Sequence, residues 1–393
     1  MPKVLRIINR FNLGGPTYNV AYLSKYIEGY ETLLVGGEKD SSEDSSTFIT
    51  DNLGLKPLII EEMKREINPI QDRAAYLKLK KIIKDFKPDI VHTHASKAGA
   101  LGRLAAFSCN VPKVVHTFHG HIFHSYFSWT TTTFYKNIER YLAQKTDAII
   151  AISPKQKHEL GKIHKICNPD KIKVIPLGFD LIKFNNNIEE KRIKFRNEYQ
   201  LEDDVICVGI VGRLVPVKNH KLFLEAFFKL SQNTTKKVKA FIVGDGELRD
   251  ELFVLCDSLG LKYSYIDRPD YSAQVIFSSW IKEVDYVWAG MDIAALTSFN
   301  EGTPVSLIEA QACNKPIITT DVGGIEDVVE KDKTAFLCKN NDSDSFAEAL
   351  IKMVNNDELR GKMGKKGWLY VKDNFHYTRL CNDMKNLYDR LLT

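Results

Sequence analysis

Short runs of β-branched and aliphatic residues alternate along this chain with longer stretches whose apolar positions recur every three to four residues. That alternation predicts parallel sheets with helices packed on their faces, an α/β class. In the first half the predicted strands are residues 4–8, 32–35, 58–60, 90–92, 114–117, 148–152 and 173–175, with helices over about 16–26 and 76–86. A polar stretch rich in Asn, Glu, Lys and Arg, from Asn185 to about Asp204, breaks the pattern and reads as a hinge region with a first helix. The alternation then resumes, with strands at 205–211, 239–243, 293–296 and 316–319. Helices fall between them at about 220–231, 248–259 and 304–312, and the chain is mostly helical from about Asp344 onward. Two successive doubly wound halves imply a cleft between them, with ligands at the carboxyl ends of the strands.

At 393 residues the chain exceeds one ordinary domain, and two are expected. The balance of 55 Lys+Arg against 50 Asp+Glu, a net charge of +5, is too mild to argue for a nucleic-acid partner. Seven cysteines are scattered without a Cys-x-x-Cys pair, which reads as reduced thiols rather than a disulfide framework. The first residues carry too short an apolar run for a signal peptide, and no run approaches the ~18 residues of a membrane span. The expectation is a cytoplasmic protein, with the cytoplasmic membrane face open as a peripheral surface.

The chemistry concentrates in Glu301-Gly-Thr-Pro-Val-Ser-Leu-Ile-Glu309. Thr303 suits a helix N-cap and Pro304 the first helical position, so Glu301 should stand just outside the helix mouth and Glu309 about two turns in. A helix N-terminus favours an anion, while carboxylates accept hydrogen bonds from hydroxyls. The combination describes a pocket for a nucleotide sugar. Arg213 and Lys218 follow the strand that ends at Gly212, two cations where a diphosphate would lie; the bland reading is two solvated surface charges.

Other segments carry weaker signals. Gly244 and Gly246 have the spacing of a dinucleotide fingerprint, but Arg249 stands in the place of its third glycine. An oxidoreductase is therefore disfavoured, and a tight turn close to a ligand is preferred. Gly323-Gly324 and Gly14-Gly15 each read equally well as a ligand-approaching turn or a structural one. Six of ten histidines lie between His92 and His124: His92, His94, His116, His119, His121 and His124. A zinc site is the alternative there, but no Glu-x-x-His or Cys partner is near, and no metal is assigned. His92 and His94 should share one face of a strand, and His119 in a loop suits a hydrogen bond to a sugar hydroxyl. Asp342-Ser-Asp344 is explained as a helix cap. Lysines 78, 80, 81, 84 and 87 on one predicted helix, with Phe123, Tyr126, Phe127, Trp129, Phe134, Tyr135 and Tyr141 further on, read either as ordinary surface and packing or as a face resting on anionic lipid.

With Gly212-Arg213, Lys218-Asn219, Gly244-Asp-Gly246, Ser298, Glu301-Gly302, Pro304, Glu309-Ala310 and Val322-Gly-Gly324, the chain resembles the retaining GT-B-fold glycosyltransferases of family four. Gly14-Gly15 and His116-Thr-Phe-His-Gly120 extend the likeness into the first half, and Ser96-Lys-Ala-Gly-Ala-Leu-Gly-Arg103 resembles a subgroup that builds capsular, O-antigen or related lipid-linked glycans. The resemblance implies two doubly wound Rossmann-like domains facing a central cleft. Residues 1–184 would bind the acceptor, 185–370 the nucleotide sugar, and 371–393 would cross back to the first domain. It implies metal-independent, cofactor-free transfer of a hexose or N-acetylhexosamine from a nucleoside diphosphate sugar, UDP-linked by subgroup, to a lipid-linked or oligosaccharide acceptor.

By the same resemblance, Arg213 and Lys218 hold the diphosphate and stabilise the leaving group. Glu301 meets the sugar hydroxyls and Glu309 the ribose. The backbone around Gly302, Thr303, Pro304 and Val305 lies near sugar and phosphate, with Gly212 and Gly244 in the adjoining turns. Ile281, between Trp280 and Lys282, lines the base; His119 meets the sugar and Gly15 the diphosphate or acceptor from the first domain. His119, Arg213, Lys218 and Glu301 are the catalytic candidates. Three positions depart from the family: Ser279 where glycine is common, Thr297-Ser298 for Pro-Ser, and Pro16-Thr17 after Gly15. A nucleotide-sugar epimerase on the same scaffold and a non-catalytic nucleotide-sugar-binding protein stand as alternatives.

Overall fold

The computed structural model describes residues 1–11, 15–38, 47–64, 66–120, 129–266 and 269–393. Gly14, His121, Phe123, His124, Tyr126 and Phe127, singled out above, lie outside the described residues, as does the side chain of Trp129. The chain divides into two units, Met1–Phe179 with Phe375–Thr393, and Asp180–Asn374.

In the first unit the described strands are β1 (Lys3–Arg10), β2 (Glu31–Gly37), β3 (Leu58–Ile59), β4 (Ile90–His94), β5 (Lys113–Phe118), β6 (Ala148–Ala151) and β7 (Ile172–Val174). They form a parallel sheet in the order β3-β2-β1-β4-β5-β6-β7. The central strands are buried on both sides; beside their apolar residues, β4 and β5 carry the buried polar His92, Thr93, His94, His116 and Thr117. The helix Tyr377–Leu392 closes this unit. Its Leu380, Met384, Leu387 and Tyr388 recur at helical spacing and pack on Val4, Leu23, Ile27 and Ile90.

In the second unit the described strands are β8 (Ile206–Val211), β9 (Val238–Val243), β10 (Tyr263–Tyr265), β11 (Val275–Ser279), β12 (Ile293–Leu296), β13 (Ile317–Thr320) and β14 (Ala335–Cys338). They pair in parallel in the order β10-β11-β9-β8-β12-β13-β14. Each sheet changes winding direction at one place: between β1 and β4 in the first unit, between β8 and β12 in the second. The carboxyl ends of the strands beside such a switch point are the usual ligand position in sheets of this kind.

The structure corrects several sequence expectations. The basic helix begins at Pro69 rather than Tyr76, because Asn68 caps it: its Oδ1 accepts from the amides of Ile70 and Gln71, with Pro69 at the first helical position. The helix Ser96–Ser108 and the strands β10, β11 and β14 had no counterpart in the reading. The polar stretch after Asn185 carries the first helix expected there. It forms the helix Ile188–Glu198, whose buried Phe195 packs so closely on Gly290 that a Cβ there would lie 2.2 Å from the ring. Arg192 of that helix pairs with Asp292 at 2.8 Å.

Candidate functional site

At the switch point of the second sheet two loops meet, 212–219 after β8 and 297–304 after β12. Thr297 Oγ1 donates to the Lys218 carbonyl at 3.1 Å, and the Phe299 amide to the Val217 carbonyl at 2.8 Å. Lys218 Nζ lies 2.6 Å from Glu301 Oε1, which also accepts from Ser298 Oγ at 2.6 Å. Thr320 Oγ1 in turn holds the Ser298 carbonyl at 2.7 Å. These clips fix the two loops on a rigid scaffold, and Thr297, a departure from the family's Pro-Ser, provides one of them. Arg213 is exposed, and its guanidinium has no hydrogen-bond or ion-pair partner among the described residues. Of the two cations after β8, Arg213 is therefore free for an anion, whereas Lys218 is already neutralised by Glu301.

Gly323 and Gly324 seat the Glu301 loop. The Gly324 amide donates to the Glu301 carbonyl at 2.9 Å. A Cβ on Gly323 would fall 2.0 Å from the Glu301 carbonyl, and one on Gly324 1.9 Å from that of Gly302. Their role in the structure is this backbone contact. Gly302 itself faces open space. The turn at Gly244 behaves likewise: with φ 141°, it lets its backbone lie against Gly212, where a Cβ would come within 2.0 Å of the carbonyl oxygen. This close approach is to the backbone of the neighbouring loop.

The helix after Glu301 starts one residue later than expected. Pro304, with ψ 94°, is the N-cap and Val305 the first helical residue; Thr303 is not the cap. A proline cap has no side-chain acceptor, so the first turn keeps amides with no side-chain cap, and the macrodipole adds its positive end. Glu309 sits on this helix, half-buried. Burial pushes its carboxyl up to about 7; Lys183 pulls against this and Asp285 adds to it. No side chain among the described residues hydrogen-bonds it, so its oxygens are available to hydroxyl donors.

Ile281 follows β11, beyond Ser279 and the half-exposed Trp280. It lines a cavity of about 640 Å³ with Tyr199, Tyr286 and Trp280. Ser279 has φ 57°, the left-handed conformation that explains why glycine is common at this place; its hydroxyl donates to Asp245 Oδ2 at 3.2 Å. The candidate residues of this unit thus run along the carboxyl edge of one sheet: Ile281, Gly244, Gly212 to Lys218, then Glu301 to Val305 with Glu309 below.

His119 and Gly15 belong to the other unit. Gly15 opens the helix Gly15–Tyr26 after β1, its Cα turned towards Leu177. His119 follows β5, and its Nε2 lies 2.9 Å from His94 Nδ1. His92 and His94 do share a face, their rings 4.1 Å apart. His92 is held by the Tyr388 hydroxyl at 2.6 Å and Thr117 Oγ1 at 2.7 Å, and His116 Nδ1 by Thr93 Oγ1 at 2.8 Å. Among the described residues no group of three or more His, Cys, Asp or Glu is placed to hold a metal ion. The Ser96–Arg103 motif has a packing role: Gly99 lies against His116, Gly102 against Thr93, and the buried Arg103 pairs with Glu139 at 2.7 Å. Asp342 caps the next helix through the Ser345 amide, as its motif predicted.

Residues 191–368 match the family model for glycosyl transferases group 1, and residues 29–183 that for glycosyltransferase family 4. The chain is 32% identical over 343 residues to the UDP-Gal:alpha-D-GlcNAc-diphosphoundecaprenol alpha-1,3-galactosyltransferase of Escherichia coli, covering 86% of each chain. It is 28% identical to the capsular polysaccharide biosynthesis glycosyltransferase CapM of Staphylococcus aureus, covering 84% of each. In fold it is similar to Anabaena HepE, crystallised in complex with UDP, with a TM-score of 0.82 at 18% identity over 99% of this chain and 100% of that one.

Proposed function

We propose a donor class, an acceptor class and a stereochemical course for this chain, which belongs to the glycosyltransferases of group 1 and family 4 and has their GT-B fold. It is a glycosyltransferase of polysaccharide or lipid-linked glycan synthesis. Our reading is that it moves a hexosyl or N-acetylhexosaminyl group, with retention, from a UDP-sugar to a lipid-linked sugar. Residues 185–370 take the donor and 1–184 the acceptor. The galactosyltransferase relative, named for UDP-galactose and a diphosphoundecaprenol-linked acceptor, supports that choice of substrates.

The observation that carries this reading is the convergence after β8 and β12: an unpaired Arg213, the Lys218–Glu301 pair, and an uncapped helix start with Glu309 behind it. Arg213 and the amides at Val305 receive the diphosphate and stabilise the charge that develops as the glycosidic bond breaks. Lys218 adds the second cation once Glu301 turns to the hydroxyls of the sugar. Ionised Glu309 accepts from the ribose hydroxyls, Ile281 abuts the base, and His119 and Gly15 contribute from the first unit. No side chain stands as an obvious nucleophile. Retention then follows a front-face course, in which the leaving phosphate oxygen takes the acceptor's proton. The two cations supply the charge stabilisation that a metal gives elsewhere.

The acceptor's lipid places the first unit beside a membrane. No helix among the described residues is long and apolar enough to cross one. The helix Pro69–Phe86, with exposed Ile70 and Leu77 beside Lys80, Lys81 and Lys84, presents a basic and apolar face for anionic lipid on the cytoplasmic side.

Release of UDP from UDP-galactose, UDP-glucose and UDP-N-acetylglucosamine, with and without an N-acetylglucosaminyl diphospholipid acceptor and with EDTA, tests the reading. Acceptor-stimulated release that survives EDTA, giving a product of unchanged anomeric configuration, is expected. Conversion of the sugar without acceptor would make the chain an epimerase, and binding without turnover a non-catalytic nucleotide-sugar-binding protein.

A further inference from the structure

The histidine assigned above to the donor sugar does not act alone. His119 Nε2 and His94 Nδ1 are 2.9 Å apart, and the rings stack with centroids 5.2 Å apart and planes at 28°. His94 ends β4 and is fully buried. Burial, aided by His92, His119, Arg6 and His116, holds its imidazole well below the usual range, and burial drives His119 to about 3. Both rings are neutral near pH 7, and each carries one proton.

Those two protons have few places to go. One occupies the shared hydrogen bond. The other sits on an outer nitrogen, His94 Nε2 or His119 Nδ1, both shielded from solvent and without a hydrogen-bond partner among the described residues. If His119 donates through Nε2, its Nδ1 is a bare acceptor and His94 Nε2 carries hydrogen. If His94 donates through Nδ1, His119 Nδ1 is a donor instead. The two ends always have opposite character. Since His94 occupies Nε2, Nδ1 is the nitrogen His119 has left for a ligand, and a sugar hydroxyl reaches it only once the atoms that now shield it move aside. Neither neighbour can replace His94: both nitrogens of His92 are taken by Tyr388 and Thr117, and His116 is held by Thr93.

We propose that His94 is a positioning residue that fixes the ring orientation and tautomer of His119, and so decides whether His119 Nδ1 accepts a hydrogen bond from a donor-sugar hydroxyl or gives one. This rests on the reading of His119 as a sugar contact. A hydrogen bond on one ring nitrogen sets the chemistry of the other, the same logic by which outer-shell partners tune metal-bound histidines.

The test compares His94→Leu, His94→Asn, His119→Ala and the His94→Leu/His119→Ala double variant. UDP alone and UDP-galactose are the probes, with binding by calorimetry and UDP release as turnover. His94→Leu should leave UDP affinity unchanged and lower turnover about 10-fold or more. His94→Asn, whose amide can occupy the place of Nδ1, should recover most of that loss. In the His119→Ala background, His94→Leu should have no further effect. Ring 15N spectra should show one His119 tautomer in the native protein and a mixture in His94→Leu. An equal loss in both backgrounds, or a matching loss of UDP affinity, would mean a packing role and overturn the proposal. Unchanged turnover in His119→Ala would instead overturn the sugar-contact reading and the proposal with it, and the two failures differ in whether His119→Ala is silent. Should His94→Leu not fold, His94→Gln, which offers its amide at the Nε2 place, stands in for it against His94→Asn.

Discussion

Replacing Glu309 by glutamine should stabilise the protein while weakening donor binding. The Glu309 carboxyl rises from 4.5 to about 7, chiefly through burial. A raised carboxyl means that between those values the folded chain holds a proton the unfolded chain has released. Stability from this group is therefore complete below pH 4.5 and is lost as pH climbs to about 7. At about 1.4 kcal/mol per unit, the displacement corresponds to roughly 3 kcal/mol at most. Glu309 keeps part of its surface in water, so screening leaves on the order of 1–2 kcal/mol. Glutamine has nearly the same shape and no charge to desolvate. Urea unfolding of Glu309→Gln and the native protein should coincide near pH 4.5 and diverge to that extent by pH 8, the variant being the more stable. Tryptophan fluorescence suits the assay, because Trp280, Trp288 and Trp368 all lie in the second unit. UDP affinity should fall about 10-fold or more at pH 8, since hydrogen bonds to an ionised acceptor are the stronger kind. In the native protein, affinity should rise with pH up to about 7 and then level off. A stability difference that does not change between pH 4.5 and 8 would refute the argument.

Arg213→Ala should lower turnover about 100-fold or more with little change in unfolding midpoint, because the side chain is exposed and unpaired; near-normal turnover would sink its role at the leaving group. Ser279→Gly should lie within about 1 kcal/mol of the native stability, relief of the left-handed backbone offsetting the lost hydrogen bond to Asp245. Ser279→Val should cost about 2 kcal/mol or more by the same unfolding assay, and equal midpoints for the two variants would contradict the strain argument. Arg103→Ala should cost about 3–5 kcal/mol by leaving Glu139 buried without its partner, and Arg103→Met with Glu139→Leu should restore most of it; a double variant no better than the single would count against the pair.

Much of the architecture was legible because central parallel strands are buried on both faces. The residues of β8 and β12 are apolar whatever their neighbours, and the reading located both. Edge strands lack that signature. Tyr-Ser-Tyr in β10 and Ala-Phe-Leu-Cys in β14 become strands only by pairing with β11 and β13. Within the candidate site, the sequence put Glu309 about two turns into the helix; with Val305 as the first helical residue it stands only about one turn in. Thr303 misled because threonine is a good cap in general, whereas proline at the next position takes the extended conformation itself. Glycines were the least legible: nothing in one dimension shows that Gly244, Gly323 and Gly324 each make room for a carbonyl from a distant segment. The His94–His119 contact depends on the register of β4 on β5, which sets His94 opposite Thr117 and brings together rings 25 residues apart.

The return of the helix Tyr377–Leu392 to the first unit has a consequence for synthesis. The second unit is inserted between Phe179 and Phe375, whose backbones touch where the chain leaves and re-enters: the Phe179 amide donates to the Phe375 carbonyl at 2.8 Å. On the ribosome, residues 180–374 emerge complete before the first unit has its closing helix. Until that helix arrives, Val4, Leu23, Ile27 and Ile90 lack the apolar cover of Leu380, Met384 and Leu387. Vectorial folding is then reversed relative to the usual order, in which the N-terminal domain finishes first. The half that is translated first stays open longest, and a nascent chain stalled before Tyr377 would offer that uncovered face to chaperones.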